Sequence, residues 1–296
     1  MAASFARIQR EMRDLMEVVL LPALAAVLPW PLAFRLFRRL AGWRWLYDEP
    51  ETRALKAAGA LGWVAEPEAW LRDRKLTTLI DHADHYLSRT RPDSWMDRHL
   101  DVSGSWPPAA GPALALTFHW GGGMWAMRHA GRAGIRGHML VAPLESAHFR
   151  GRSILHRYIK SRMKTVALTM HRPFVDVSNG MTPILAALDA KEHVHAVIDV
   201  PADQVNSSRP VRILGLQARL PTTLLRVAAE RSLPVCVYVG GTDVATGRRF
   251  LRIHQLDATA DLDELVRRVL GELERRIQEA PAAWHLWSEA DRFFRD

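Results

Sequence analysis

The stretch "ALALTFHWGGGMW", residues 113–125, has the pattern of an apolar strand, a glycine turn and the start of a helix. The run "ALALTF" has the length and composition of a buried strand, and the three glycines mark the turn that follows it. Strands and helices then alternate towards the last residues. This alternation predicts an α/β domain in which helices flank a mixed central sheet.

The chain after residue 110 contains six predicted strands. In chain order they are "ALALTF", "GHMLVAPL", "TVALTM", "VHAVIDV", "LPVCVYVGG" and "RRFLRIHQL". A helix with basic residues on one side is predicted over residues 147–163, before the third strand. An amphipathic helix with an acidic first turn follows the last strand, as the helix dipole favours.

Composition places the chain among globular proteins with anionic partners. Of the 296 residues, 48% are apolar and 24% are charged, and the formal net charge is +8. Such a charge favours a membrane surface, a nucleic acid, a phosphorylated molecule or an acidic protein, without choosing among them. The single cysteine, Cys236, excludes an internal disulfide and a cysteine-cluster metal site.

The first sixty residues are predicted to form amphipathic interfacial helices, ahead of an α/β domain over residues 61–296. Residues 18–34 are the most apolar stretch, but seventeen residues interrupted by three prolines are short for a membrane span of about twenty. The segment "RLFRRLAGWRW" follows them, and arginines beside tryptophans are typical of a helix lying in a membrane interface. The alternative is a core helical hairpin with a solvated basic face.

His119 is the candidate catalytic base. It ends a predicted strand, and ligands of α/β sheets gather at the carboxyl ends of the strands. The backbone N–H groups of Gly121, Gly122 and Gly123 could hold an oxyanion beside it. A base with nearby oxyanion donors is the minimum for acyl transfer, whereas a purely structural turn is the alternative.

Five segments, in this order, resemble the bacterial lipid A late acyltransferases and the wider lysophospholipid-acyltransferase-like group. They are "HWGGGM" (119–124), "VAPLESA" (141–147), "ILAALDAKEHVHAVIDVPADQ" (184–204), "GLQARLPTTLLRVAAERSLPVCVYV" (215–239) and "EAPAAWHLW" (279–287). The first matches the histidine, the aromatic residue and the first glycine of the family's His-x4-Asp/Glu motif. The resemblance implies a glycerolipid acyltransferase-like fold and the transfer of an acyl chain from a thioester to a hydroxyl or amine.

The resemblance also implies how such a site works. The donor would be acyl carrier protein or acyl-CoA, the histidine would take the proton of the acceptor, and an acidic residue would orient the histidine. No metal, no other cofactor and no covalent acyl-enzyme would be needed. Two residues depart from the pattern: Met124 occupies the acid position, and Ala142 stands where the family has an arginine.

Three carboxylates could replace the missing acid. Glu145, Asp199 and Asp203 all lie at or just after predicted strand ends. Parallel strands bring their carboxyl ends to one edge, so each could approach His119. Glu145 is favoured, since it follows the strand that comes directly after the His119 helix. A solvated loop carboxylate is the alternative for each.

A basic segment is the candidate binding site for the donor. Residues 146–175 contain no acidic residue, whereas a solvated face usually mixes both signs. The donor-binding candidates are Arg150, Arg152, Arg157, Lys160, Arg162 and Lys164. They suit an acidic carrier protein, the phosphates of coenzyme A or lipid headgroups. No nucleic acid is expected, because stacking aromatics are sparse, and a solvated helix without a partner is the alternative.

The expected function is that of an acyltransferase bound peripherally to the cytoplasmic side of the inner membrane. Lipid A acylation proper is one alternative. The departures at Met124 and Ala142 favour acylation of a specialised metabolite, such as a pigment, polyketide or peptide. A non-catalytic relative that binds carrier protein is a further alternative. The histidines form no set with metal-ligand spacing, so no metal site is predicted.

Overall fold

The molecule is built on a seven-stranded sheet. The computed structural model describes residues 2–142, 149–205, 207–257 and 259–294. The strands of this sheet are β1 (Leu100–Ser103), β2 (Ala113–Thr117), β3 (Gly137–Val141), β4 (Val175–Asp176), β5 (His193–Val197), β8 (Val235–Thr242) and β9 (Arg249–Leu256). A separate antiparallel hairpin consists of β6 (Arg209–Ile213) and β7 (Leu216–Leu220).

The strand order of the sheet is β1-β9-β8-β2-β5-β3-β4. Strands β8, β2, β5, β3 and β4 run parallel to one another, whereas β9 is antiparallel to β8 and carries β1 parallel to itself. The predicted mixed sheet flanked by helices is therefore confirmed. Strand β5 lies between β2 and β3, although it follows both of them in the sequence.

Helices cover both faces of the sheet. They are α1 (Ala2–Asp14), α2 (Leu21–Val27), α3 (Trp30–Leu40), α4 (Asp48–Ala60), α5 (Pro67–Thr90), α6 (Asp93–His99), α7 (Met124–Arg132), α8 (Ser153–Met170), α9 (Thr182–Asp189), α10 (Thr223–Arg231), α11 (Leu262–Glu279) and α12 (Ala290–Phe293). A π-helix, Leu15–Leu20, joins α1 to α2. Helix α3 begins with Pro31 in its first turn, where a missing N–H costs little.

Each face of the sheet has its own hydrophobic core. Leu114 and Leu116 of β2 point into the core that contains residues of α9, α10 and α11, whereas Ala115 points into the core formed with α2, α3, α5 and α7. A strand buried on both faces reads as a continuous apolar run, which explains the sequence "ALAL". Helices from both sides of residue 60 contribute to these cores.

The predicted strand "TVALTM" is wrong, because residues 165–170 form the last turns of α8. The hydroxyls of Thr165 and Thr169 donate to the carbonyls one turn earlier, at 3.0 and 2.8 Å, so these β-branched residues are accommodated in the helix. Gly131 of α7 allows close packing here, since a Cβ atom at this position would lie 2.1 Å from the carbonyl oxygen of Thr169.

Helix α1 is attached to the start of α8. The carboxylate of Glu11 accepts hydrogen bonds from the backbone N–H groups of Ser153 and Ile154, at 2.7 and 2.9 Å. Asp14 forms an ion pair with Arg152. Because α8 follows β3, its start lies on the side of the carboxyl ends of the parallel strands.

Among the helices that the structure describes, none combines the length and the apolarity needed to cross a membrane.

Candidate functional site

His119 and Asp199 meet across the neighbouring strands β2 and β5. Thr117 is in register with Val197, so the residues two positions further on leave the sheet side by side. The Nδ1 atom of His119 lies 3.0 Å from Oδ1 of Asp199. The backbone N–H of His119 also donates to both oxygens of this carboxylate, at 2.9 and 3.0 Å. One buried carboxylate therefore holds both the backbone and the ring of the histidine.

The ring of His119 is partly exposed, and its two nitrogens differ in role. Its side chain is 42% exposed, whereas that of Asp199 is 1% exposed. Since an ionised carboxylate only accepts, Nδ1 carries the hydrogen and leaves the lone pair of Nε2 free to accept a proton. Burial of the ring opposes its protonation. The charge of Asp199 and its hydrogen bonds outweigh this effect and raise the pKa of His119 above its ordinary value.

Trp284 holds the other oxygen of the carboxylate. Its indole Nε1–H donates to Oδ2 of Asp199 at 2.8 Å, and the residue is 1% exposed. The segment around it pairs with the end of β2: the N–H of His285 donates to the carbonyl of His119 at 2.7 Å, and Trp120 forms an antiparallel bridge with Trp284. The carboxylate thus has hydrogen-bond donors on both oxygens and a fixed orientation.

Arg74 of α5 fixes the segment 282–285 through its backbone carbonyls. Its guanidinium donates to the carbonyls of Ala282, Trp284 and His285 and forms an ion pair with Glu51 at 2.5 Å. Arg74 and Glu51 are 4% and 3% exposed. A buried guanidinium that has both a carboxylate and three carbonyl partners is well satisfied. The position of Trp284 therefore depends on contacts made by α4 and α5.

Most backbone N–H groups of the glycine turn, residues 121–123, donate to carbonyls of the protein. The N–H groups of Gly121 and Gly122 donate to the carbonyls of Ala283 and Gly240, each at 3.0 Å. The predicted oxyanion role of these two N–H groups is contradicted, because protein carbonyls occupy them. Only Gly123 has an N–H group with no backbone partner among the residues that the structure describes. His285 completes the turn, since its Nε2–H donates to the carbonyl of Gly121 at 2.7 Å.

The structure describes two of the three candidate carboxylates, Asp199 and Asp203. Asp199 contacts His119. Asp203 lies on the surface and forms a two-pronged ion pair with Arg292, at 2.7 and 3.0 Å. Glu145, the favoured candidate, lies outside the described residues. Met124, at the acid position of the motif, is a buried residue that starts α7.

The six basic donor-binding candidates divide into two groups. Arg152 and Arg162 are structural partners, since Arg152 pairs with Asp14 at 2.5 Å and Arg162 pairs with Asp81 at 2.7 Å. The others are exposed and form no ion pair within the described part of the chain: Arg150, Arg157, Lys160 and Lys164. The predicted basic surface is thus smaller than the sequence indicates.

Asp81 brings the Arg162 pair next to the glycine turn. A Cβ atom at Gly122 would lie 3.2 Å from Oδ1 of Asp81, so the carboxylate packs against the turn backbone. Burial alone would raise the pKa of Asp81, but the charge and hydrogen bond of Arg162 outweigh burial and lower it. The hydroxyl of Tyr158 joins this cluster 2.7 Å from Nδ1 of His82, and burial lowers the pKa of His82 to about 3.

Comparison with known proteins adds no relative. The chain matches no protein-family model, and no curated protein matches its sequence. Within the described residues, no three histidine, cysteine, aspartate or glutamate side chains come together in a way that could hold a metal ion. The site is therefore defined by its own geometry: an exposed histidine nitrogen, a buried orienting carboxylate and a tryptophan that holds this carboxylate.

Proposed function

We propose that the protein is an acyltransferase that moves an acyl chain from an acyl-carrier-protein or CoA thioester to a hydroxyl or amine acceptor. The observation that carries the proposal is the hydrogen bond of 3.0 Å between His119 and the buried Asp199 at the carboxyl edge of the sheet. A histidine that is oriented on one nitrogen and open on the other is the arrangement a general base needs. The sequence resemblance supplies the reaction type.

In the proposed reaction, Nε2 of His119 takes the proton of the acceptor while the acceptor oxygen or nitrogen attacks the thioester carbonyl. The new C–O or C–N bond forms, the C–S bond breaks, and the imidazolium returns the proton to the leaving thiolate. Asp199 stabilises the positive ring during these steps and fixes its tautomer. Trp284 acts as a positioning residue, because its indole N–H donates to the carboxylate and would act on the reacting atoms only through it.

Purified protein should be incubated with acyl-carrier-protein and acyl-CoA thioesters and candidate acceptors, with thiol release and acylated product both measured. His119→Ala should abolish transfer, and Asp199→Asn should lower it by about 10²- to 10⁴-fold. Asp203→Asn is the matched control, since this carboxylate pairs with Arg292 instead. Glu145→Gln tests the other sequence candidate, and we expect it to retain transfer.

Transfer at the wild-type rate in His119→Ala would contradict the proposed mechanism. Tight binding of acyl carrier protein without transfer to any acceptor would favour the non-catalytic, carrier-binding alternative. Loss of transfer in Glu145→Gln but not in Asp199→Asn would move the orienting role to Glu145.

The proposed donor site is the exposed part of the basic segment on α8. Arg157 and Lys160 have no ion-pair partner among the described residues, so their charges are available to an acidic surface. Reversing both charges, Arg157→Glu with Lys160→Glu, should raise KM for a carrier-linked donor. The same variant should leave KM for a short pantetheine thioester unchanged, because that donor lacks the acidic carrier.

We also propose that the protein binds peripherally to the cytoplasmic face of the inner membrane. Phe5, Ile8 and Met12 lie on one face of α1 and are 63%, 56% and 53% exposed. Exposed apolar residues beside arginines are typical of an interfacial helix. Phe5→Ser with Ile8→Ser should weaken co-sedimentation with anionic vesicles, whereas Val177→Ser, at another exposed apolar position, should not. Equal co-sedimentation of all three proteins would contradict interfacial binding by α1.

A further inference from the structure

A groove of about 520 Å³ lies at one end of the sheet, and none of its lining residues belongs to the basic segment of α8. Its walls are the start of α3, the junction of α6 with β1, and the turn that joins β8 to β9. Pro31, Arg35 and Arg38 follow one another at helical spacing and line one wall. A volume of this size is typical of sites that hold a small molecule.

The groove has a strong excess of positive charge. Its lining contains five arginines and two carboxylates. Both carboxylates are already paired with arginines outside the lining, Asp97 with Arg132 and Asp101 with Arg252. Four arginines of the lining make no ion pair with any residue that the structure describes: Arg35, Arg38, Arg98 and Arg248. They come from three separate elements and converge on one space.

The wall between α3 and the β8–β9 turn is firmly built. The indole N–H of Trp30 donates to the carbonyl of Gly247 at 2.8 Å. Gly247 has a φ of +75°, and a Cβ atom there would lie 2.7 Å from the ring of Phe34, so only glycine allows this contact. Arg35, Arg38 and Arg248 therefore belong to segments that are fixed to each other.

The fifth arginine, Arg249, forms the buried floor. It is 1% exposed, its guanidinium lies 3.7 Å from the ring centre of Trp30, and two of its nitrogens bind Asp84 at 2.6 and 2.9 Å. Its Nη1 atom is buried without a hydrogen-bond partner in the described part of the chain. Leaving a charged donor unsatisfied is costly, so an acceptor is expected here.

We infer that this groove is a binding site for the phosphate group of a phosphorylated ligand. Guanidinium groups bind phosphate through paired hydrogen bonds, and several of them around one space match its double negative charge. The single negative charge of a carboxylate would neutralise less of the positive charge of these arginines than a phosphate would. A phospholipid headgroup and a soluble phosphoester both carry the required group. The inference does not depend on acyl transfer, because it involves neither His119 nor the basic segment of α8.

The groove is close to the candidate site in the fold. Leu100 and Arg249 line both the groove and a cavity of about 20 Å³ that lies beneath Gly121 and Gly122. Only two strand steps separate β9 from β2 in the sheet order. A phosphate held in the groove would thus lie on the same edge of the sheet as the open nitrogen of His119.

The test is calorimetric titration of the full chain with three probes: inorganic phosphate, a short-chain phosphatidic acid below its micellar concentration, and vesicles with or without phosphatidylglycerol. Arg35→Gln and Arg248→Gln should each weaken phosphate-dependent binding roughly tenfold, as expected for the loss of a charge-assisted hydrogen bond. Arg39→Gln is the matched control, because Arg39 is exposed on the same helix but does not line the groove. Thermal unfolding of the variants verifies that they fold.

Binding of inorganic phosphate and of monomeric phosphatidic acid, both weakened by the groove variants, would show a site for the phosphate group of a soluble ligand. Binding of vesicles alone, with the same dependence on Arg35 and Arg248, would assign the site to a lipid headgroup. Equal affinities of Arg35→Gln, Arg248→Gln and Arg39→Gln for every probe, or no binding of any probe, would overturn the inference.

Discussion

Oδ1 of Asp199 lies 3.0 Å from Nδ1 of His119, although 80 positions separate the two residues in the chain. The distance follows from the register of two neighbouring parallel strands that end at the same height. The orienting contact is therefore part of the sheet, and changing it alters both the histidine ring and the backbone that leaves the strand.

Replacing the carboxylate with an amide should lower the pKa of His119. In Asp199→Asn the burial of the ring remains, but the charge that outweighs it is gone. Titration of the His119 ring protons by NMR in the wild type and in Asp199→Asn measures the change directly. An unchanged or higher pKa in the variant would contradict the assigned contact.

The same contact predicts how stability depends on pH. Because the folded pKa of His119 is raised above 6.5, the folded state binds its proton more tightly than the unfolded state. This contribution is fully present below pH 6.5 and is lost as the pH rises through the folded pKa. The stability advantage of the wild type over Asp199→Asn, measured by urea unfolding, should therefore decrease with rising pH across this window.

Removing the indole N–H should change the histidine without removing it. Trp284→Phe keeps an aromatic ring in the core but leaves Oδ2 of Asp199 without this donor. The carboxylate then attracts the proton on the ring more strongly, so the pKa of His119 should rise further. We expect turnover to fall by about one to two orders of magnitude, as for other residues that position a reactive group. A purely structural role for Trp284 would lower stability without moving the pKa.

The glycine turn offers a matched pair of substitutions. Gly121 has a φ of +65°, and a Cβ atom there would lie 2.2 Å from the carbonyl oxygen of Gly240. Gly121→Ala should cost at least about 2 kcal/mol of unfolding free energy. Gly123 has a φ of −101°, and no atom of the described residues lies within 4 Å of a Cβ there, so Gly123→Ala should be nearly neutral. Chemical denaturation of both variants tests the difference, and equal losses would contradict the described turn.

Glu17 in the π-helix should weaken the fold above neutral pH. It is 6% exposed, and burial raises its pKa to about 7 even though the N–H of Tyr47 donates to it at 2.6 Å. The folded state holds the proton between the unfolded value of 4.5 and about 7, so stability falls as the pH rises through this window.

Glu17→Gln removes the buried charge and keeps an acceptor for Tyr47. The variant should gain on the order of 1–3 kcal/mol at pH 8 and little at pH 4. Thermal unfolding at both pH values provides the measurement. A destabilised variant at pH 8 would show that the carboxylate charge is favourable where it lies.

The sequence predicts the mixed sheet, His119 at a strand end and Asp199 among three candidate acids. It does not reveal which strands are neighbours. Glu145 is favoured on the sequence because its strand follows the His119 helix, but β5 lies between β2 and β3 and brings Asp199 to the histidine. The position of β5 between β2 and β3 depends on how the whole sheet packs, and no local sequence pattern predicts this strand order.

Other features escape local patterns for similar reasons. The "TVALTM" run has the composition of a strand, but in the structure it ends α8, where Met170 is buried in the core and Thr169 packs against Gly131 of α7. The role of Trp284 requires a partner 85 positions earlier. The closing "EAPAAWHLW" segment is visible in the sequence as part of the resemblance, but its contact with Asp199 is not. Likewise, the carbonyl partners of Gly121 and Gly122 come from remote segments.

The late arrival of Trp284 in the chain has a consequence for biosynthesis. A ribosome that has released the chain to two residues beyond β5 has already produced both His119 and Asp199. The indole that holds the carboxylate, and the His285 ring that contacts Gly121 across 164 positions, emerge only much later. A partly synthesised chain can thus form the pair of strands while the carboxylate of Asp199 still lacks its indole donor. The complete hydrogen-bonded arrangement of His119, Asp199 and Trp284 therefore forms only after Trp284 has been synthesised.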